Sequence, residues 1–544
     1  MIVIDKIAIR NFRCFENITL NPHKDLNIIV GENGAGKSSI FTALDKLFEG
    51  VNTKNNNCIN DLDIRWGDLT GNKELFVKCT LSLDADKQLA IMNPLFQNRI
   101  GHTDWLRVFE RISSFLQKVE IGFNWKSSKN LELMLGTLSV IRQNLSIKQN
   151  PGNSQKPIDD LFQILATAQL NNSVQGILGS IDLWNAPNVI QDEIYNIIQP
   201  KFYTFAEFRV RPDSSKRDTG LDSFQGSQTA SVLLNLKNHT RLYFRNRYKR
   251  ICEEFSNFFP FIYIDAIETA PGSGIADVQF IQKSNDYPIP LANVGAGMVE
   301  LLTFITNLVA SNDRIFVVEE PESHLHPHAK RRLQKLILEA SEKNQVFVIT
   351  HDPYFVQYNR PKVIFRFANT DNGTQIHFLP KNTDSKLEGQ IKTALQNISK
   401  REQLFARALL IVEDESHRQF ILGCADKLSY DLDSAGLSII EVGGKDGYQP
   451  YIKIAECFNI PFLCLEDLTR GPSKKRPKSI FRSLGCELED YLKQYNLGGL
   501  MEEAKSKVGT GKQRVARYCG EHVDKDKIPD FFKTLIEDAV ALCK

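Results

Sequence analysis

Residues 26–48 read LNIIVGENGAGKSSIFTALDKLF. The apolar run LNIIV predicts a buried strand and SSIFTALDKLF has helical spacing, with a glycine loop from Gly31 to Ser39 between them. Gly31, Gly36, Lys37 and Ser38 occupy the fixed points of G-x-x-x-x-G-K-S. In that pattern backbone N–H groups curl around phosphates, and the helix N-terminus adds partial positive charge. Asn33, Gly34, Gly36, Lys37, Ser38 and Ser39 are therefore the candidate nucleotide-binding residues. Lys37 is expected to reach the β- and γ-phosphates and Ser38 to ligate magnesium, so ATP and Mg2+ are the expected cofactors.

Outward from this loop, IVIDKIAIRNF before it and ELFVKCTLS at 75–83 read as strands. From 85 to 200 the texture changes: helically spaced apolar segments such as LFQILATAQLNNSVQGILGSI are separated by polar, Asn-rich stretches. Strands return at 202–210, a long Arg- and aromatic-rich helix is expected over 229–257, and FIYIDAIE with ADVQFIQK reads as a strand pair. RIFVVEE and QVFVITH are nearly continuous apolar runs, as in parallel strands buried on both faces. A second α/β unit begins near 403. The expected fold is therefore α/β: an N-terminal ATPase in two parts (1–84 and 201–400), split by a mainly helical insertion (85–200, a candidate dimerisation element), followed by a parallel-sheet domain (401–544).

FVVEEPESHLHPH ends one buried strand in two carboxylates. Glu319 is the candidate for the magnesium shell and Glu320 for polarising the attacking water. His351, ending VFVITH, is placed by its strand to bring an imidazole to the γ-phosphate. The alternation of His324, His326 and His328 does not make a zinc site, because no Cys or acidic ligand set completes it. In the C-terminal unit, LLIVEDESHRQFIL sets Glu413 at a strand tip entering a helix, and IPFLCLEDLTRG ends a second strand in Glu466 and Asp467. Acids at the carboxyl ends of neighbouring parallel strands face one crevice and suit a divalent cation. Acids there also cap helix N-termini favourably, so capping is the competing reading.

Of the 544 residues, 42% are apolar and 24% charged, with Lys+Arg 67 against Asp+Glu 65. Contact with nucleic acid must then come from local patches. RGPSKKRPKSIFR, with Arg470, Lys474, Lys475, Arg476, Lys478 and Arg482, is one such patch; a solvated loop is the alternative. Ten cysteines without a CxxC pair suit a reducing cytoplasm. Neither a signal peptide nor a membrane span is expected.

The order of phosphate loop, NVGAGM, EEPESHLHP and ITHDP resembles ABC-type ATPases of the recombination-repair and SMC-like kind. That resemblance implies a head-to-head homodimer, or a higher oligomer, in which ATP is sandwiched between the phosphate loop and Gly295 and Gly297 of the opposing copy. Glu319 stands where an Asp is usual and Val294 where a Ser is usual. The C-terminal unit resembles a Toprim domain, and the whole chain resembles the OLD (overcoming lysogenization defect) family of ATPase–nucleases. The resemblance implies that Glu413, Glu466, Asp467 and Glu489 bind metal, Mg2+ or Mn2+, that Lys512 is the catalytic lysine, and that DNA is cleaved in antiphage defence. It also implies a co-encoded partner, such as a retron reverse transcriptase or a helicase. The family's D-x-D reads Glu466-Asp467-Leu468 here, His417 stands where a second helix glutamate is common, and Asp414 replaces a glycine. An ATP-gated DNA-binding or scaffold protein with a non-cleaving Toprim unit is the alternative function.

Overall fold

The computed structural model describes residues 1–52, 63, 75–88, 90, 118–126, 130–135, 202–205, 215–216, 229–270, 272–289, 293–323, 325–370, 373–444, 447–467 and 480–543. They form two compact units: Met1–Asn27, Gly36–Thr350 and Thr370–Thr374 in the first; Ile28–Ala35, His351–Asn369 and Gln375–Lys544 in the second.

The first unit opens with β1 (Val3–Phe12) and β2 (Phe15–Leu20). β3 (Leu26–Gly31) starts in this unit and runs into the other; α1 (Lys37–Asn52) follows the phosphate loop. β4 (Leu75–Ser82), β5 (Lys118–Lys126) and β6 (Asn130–Leu135) complete an antiparallel sheet of order β2-β1-β4-β5-β6. β4 buries alternate residues, Leu75, Val77, Cys79 and Leu81, as period-2 patterning requires. β5 and β6 are strands inside 85–200, the segment read as mainly helical, most of which lies outside the described residues. KVEIGFNWK alternates apolar with other residues, and Val119 and Ile121 are buried, a strand period that wins over the helical texture around it. The helical segment 161–181 lies outside the described residues.

The parallel part of this unit is β7 (Phe202–Phe205), β12 (Ile315–Glu319) and β13 (Gln345–Ile349), with β12 between the other two. α1 packs on it through Phe41 against Phe347 and Phe48 against Phe202, with ring centroids 5.3 and 4.8 Å apart. Short β8 (Ser215–Lys216) joins the antiparallel strands β9 (Ile262–Glu268), β10 (Ile275–Gln282) and β11 (Tyr287–Ile289). The helix expected over 229–257 is two helices, α2 (Thr229–Lys237) and α3 (Leu242–Phe258). Asn238, His239 and Thr240 break it, their side chains competing for backbone groups or crowding the turn. α4 (Ala296–Ala310) and α5 (Pro327–Ser341) follow the glycine segment and the paired acids.

In the second unit, Ile28–Gly31 of β3 pair in parallel with β14 (Ile364–Thr370), which leads into β15 (Gly373–Phe378). Arg366 in β14 is 2% exposed and donates to the carbonyls of Leu404 (3.2 Å), Ala406 (2.8 Å), Phe458 (3.2 Å) and Asn459 (3.5 Å). Burial lowers its pKa to about 10, opposed by the charge of Glu32. β16 (Ala408–Val412), β17 (Leu437–Glu441), β18 (Phe462–Glu466) and β19 (Phe481–Ser483) form an all-parallel sheet of order β17-β16-β18-β19. Around it lie α6 (Glu415–Leu428), α7 (Tyr448–Cys457), α8 (Leu488–Gln494), α9 (Gly498–Val508), α10 (Lys512–His522) and α11 (Asp530–Ala541). α6 and α10 touch backbone to backbone at Gly423 and Gly520: a Cβ on Gly423 would lie 2.4 Å from the Gly520 carbonyl carbon. Among the described residues no helix is long and apolar enough to cross a membrane.

Candidate active sites

The phosphate loop turns through left-handed backbone at Gly34 and Gly36. A Cβ on Gly36 would meet Cys14 Sγ at 2.2 Å, so only glycine lets the loop lie this close to the β1–β2 turn. Lys37, the first residue of α1, is 6% exposed. Beside it, Ser38 Oγ donates to Glu319 Oε2 over 2.9 Å, joining residues 281 apart in the chain. Burial raises the Glu319 pKa, and the charge of Glu320 adds to this; the Ser38 hydrogen bond and Lys37 oppose it. A carboxylate pair under such strain, with a hydroxyl already on one acid, fits a divalent cation.

Glu320 is held in the left-handed region at φ 45°. Its N–H donates to the Ile349 carbonyl (2.8 Å), and its carboxylate accepts from Ser323 Oγ (3.4 Å). Non-glycine residues in this conformation cluster at functional positions. Next along the turn, Thr350 Oγ1 donates to Glu322 Oε1 (2.7 Å), a contact the sequence did not signal. Glu319, Glu320, Gly295, Gly297 and His326 line one cavity of about 690 Å3. His351 follows β13 by two residues, and its ring lies 6.5 Å from that of Phe405. Gly295 caps α4 from outside, and among the described residues a Cβ on Gly297 would meet nothing within 4 Å, so their packing does not demand glycine there. His326 and His328 stack with ring centroids 5.5 Å apart; His324 lies outside the described residues.

The second centre sits at the C-terminal ends of β16 and β18. Val412 pairs with Leu465, so Glu413 and Glu466 leave the sheet side by side. Glu413 is 7% and Asp467 5% exposed, and the Asp467 N–H points at Glu413 Oε2 (3.5 Å). Beneath them Tyr448 bonds the Leu465 carbonyl; burial first, then the charges of Glu413, Glu466 and Asp467, drive its phenol pKa far up. Asp414 caps α6, accepting from the N–H groups of Ser416 (2.8 Å) and His417 (3.3 Å), so the capping reading holds for this acid.

His417 is the side chain whose importance the sequence understated. It is 1% exposed, with Nδ1 2.9 Å from Asp414 Oδ1 and Nε2 2.5 Å from Asp467 Oδ1. Burial acts to lower its pKa, but the bonds to Asp414 and Asp467 prevail and push it up to about 9. Lys512 reaches Glu489 (3.1 Å) and Glu487 (3.6 Å), an exposed pairing that raises its pKa, through Glu489 first. Glu413 and Glu466 on adjacent strand ends suit one hard cation with water completing its shell. Asp467 commits Oδ1 to His417, and among the described residues no three His, Cys, Asp or Glu side chains converge as a ready-made metal cage. Leu468 and the basic run Arg470–Lys478 lie outside the described residues; Arg482 pairs with Asp538 (2.8 Å).

Comparison with known families agrees with this division. The AAA ATPase domain family matches residues 2–356, and the Overcoming lysogenization defect protein-like TOPRIM domain family matches residues 404–468. The chain belongs to the AAA ATPase domain family and carries an OLD-like Toprim domain. It is thus an enzyme that couples an AAA ATPase domain to a Toprim nuclease domain. It is 22% identical to the OLD nuclease of Thermus scotoductus over 87% of this chain and 83% of the relative. It is also 22% identical to endonuclease GajA of Bacillus cereus, over 88% of this chain and 77% of the relative. Among solved structures, an SMC head bound to the C-terminal winged-helix domain of ScpA overlays 70% of this chain and 98% of that one, at TM-score 0.39 and 16% identity.

Proposed function

We propose that this chain is an OLD-family protein, an ATP-hydrolysing, divalent-metal-dependent DNA endonuclease of antiphage defence. The observation that carries the reading is the presence of two separate acid centres on two different sheets, one beside a phosphate loop and one in a parallel-strand crevice. In the first, Asn33, Gly34, Gly36, Lys37, Ser38 and Ser39 hold the ATP phosphates. Ser38 and Glu319 hold Mg2+, which when bound neutralises charge developing on the phosphates. Glu320 orients the water and His351 faces the γ-phosphate. Gly295 is exposed and a Cβ on Gly297 would meet no described atom within 4 Å, which supports docking of a second copy's nucleotide on the start of α4.

In the second centre Glu413 and Glu466 hold the divalent cation, which when bound polarises a phosphodiester. Lys512, steered by Glu489, approaches as the catalytic lysine. A track for DNA backbone on α3 is supported by exposed Arg245 and Lys249, four residues apart on the helix, with exposed Arg241 just before its start. The capture of Asp467 by His417 favours one other reading, a DNA-bound ATPase whose Toprim unit does not cut. Nicking of supercoiled plasmid with Mn2+ separates the two. Wild type should nick and Glu413→Ala should not, while ATP turnover stays equal in both. Absence of nicking by wild type at every metal tried would establish the non-cleaving reading.

A further inference from the structure

Four carboxylates stand at the mouth of the C-terminal sheet: Glu413 and Asp414 after β16, Glu466 at the end of β18 and Asp467 after it. Two of them already share a partner. His417 is almost completely enclosed, and its two ring nitrogens each meet a carboxylate oxygen, Asp414 Oδ1 at 2.9 Å and Asp467 Oδ1 at 2.5 Å. Carboxylate oxygens accept and do not donate, so a ring held this way donates from both nitrogens. The clamp has backbone support, since Asp414 also accepts from the N–H groups of residues 416 and 417. On the far side, Ser483 Oγ donates to the Asp467 carbonyl (3.4 Å). Turning Asp467 Oδ1 toward a metal would leave one ring nitrogen buried without an acceptor, a costly arrangement.

We propose that His417 occupies the place a second divalent cation would need, so that this crevice takes one divalent ion, on the side of Glu413 and Glu466, with His417 as the residue that positions Asp467. The proposal rests on reading this crevice as the nuclease metal centre. A hard cation demands a nearly complete oxygen shell at short distance, and with Oδ1 bonded to His417, Asp467 has Oδ2 alone to offer and cannot chelate or bridge two ions. The residue after Asp467 is Leu468, whose side chain carries no oxygen.

The test counts metal on the full-length chain without nucleotide, by calorimetric titration and electron spin resonance with Mn2+ as the probe. Wild type should bind one Mn2+ that Glu413→Gln removes, which assigns that ion to this crevice. Electron spin-echo modulation of the bound Mn2+ should show no imidazole nitrogen coupling. His417→Glu should raise the Glu413-dependent count from one to two, and His417→Gln should leave it at one. Two Glu413-dependent ions in wild type, an imidazole nitrogen coupled to the Mn2+, or a count still at one in folded His417→Glu would each overturn the proposal. Zero Glu413-dependent ions in wild type would instead refute the metal-centre reading beneath it. The wild-type count and spectrum decide the matter even if neither variant folds.

Discussion

Replacing Arg366 with Met tests how the second unit is held together. The guanidinium satisfies three carbonyls at 3.2 Å or closer and a fourth at 3.5 Å, all in the 404–459 segment, from a position 2% exposed. Met keeps most of the volume but orphans those acceptors at about 1–3 kcal/mol each. Removing the charge returns part of that, since a buried guanidinium itself carries a desolvation cost. The net loss should be about 4 kcal/mol, or about a thousandfold in local opening. Arg366→Lys, with one nitrogen in place of a planar fork, should recover less than half of it. Hydrogen exchange read by mass spectrometry measures this locally and needs no two-state assumption. Peptides covering 404–412 and 454–462 should exchange about a thousandfold faster, while β9 and β10 in the first unit stay unchanged. A change below about fivefold in those peptides would mean that the carbonyls find water or other donors, and that the arginine does not hold this segment.

Glu320→Gln should bind ATP as tightly as wild type yet turn it over at least about a hundredfold more slowly, within the range expected for losing an acid–base or water-orienting group; equal turnover removes Glu320 from that role. Lys37→Ala should abolish ATP binding in the same equilibrium titration. Gly297→Ala should stabilise the chain by up to about 1 kcal/mol, since the site is open and helical, and yet depress ATP turnover if a second copy docks there; unfolding midpoints and steady-state rates must move in opposite directions. In chelator, His417, raised from 6.5 to about 9, adds stability that is fully present below pH 6.5 and is lost as pH rises through about 9. The difference is worth roughly 3 kcal/mol, so thermal unfolding of His417→Gln should lag wild type most near pH 6, and the gap should close by pH 10.

What could be read from the sequence was local. The phosphate loop is a strand, a turn and a helix in one contiguous stretch, and the strands ending at Glu319, Val412 and Glu466 announced themselves as apolar runs closed by acids. β5 and β6 were missed because their period-2 pattern covers nine and six residues inside a polar, helix-coloured segment. The break between α2 and α3 spans four residues, Asn238 to Arg241, too few to interrupt a periodicity count. The pairings that complete each site are distant in sequence: Ser38 with Glu319 across 281 positions, His417 with Asp467 across 50. His417 looked like the loss of an acid. Its meaning depends on a strand end that only folding brings to it.

The left-handed backbone of Glu320 bears on how this protein can drift. At φ 45° a glutamate sits against its own conformational preference, at a cost of order 1–3 kcal/mol, and Gly or Asn would sit there more comfortably. Random substitution is therefore biased toward relaxing the turn, and each such change would leave a better-folded chain without its candidate water-orienting acid. Selection for folding alone would erase Glu320. A copy released from the need to hydrolyse ATP should lose this residue before it loses the buried apolar strands around it, and the side chain at position 320 would record that release.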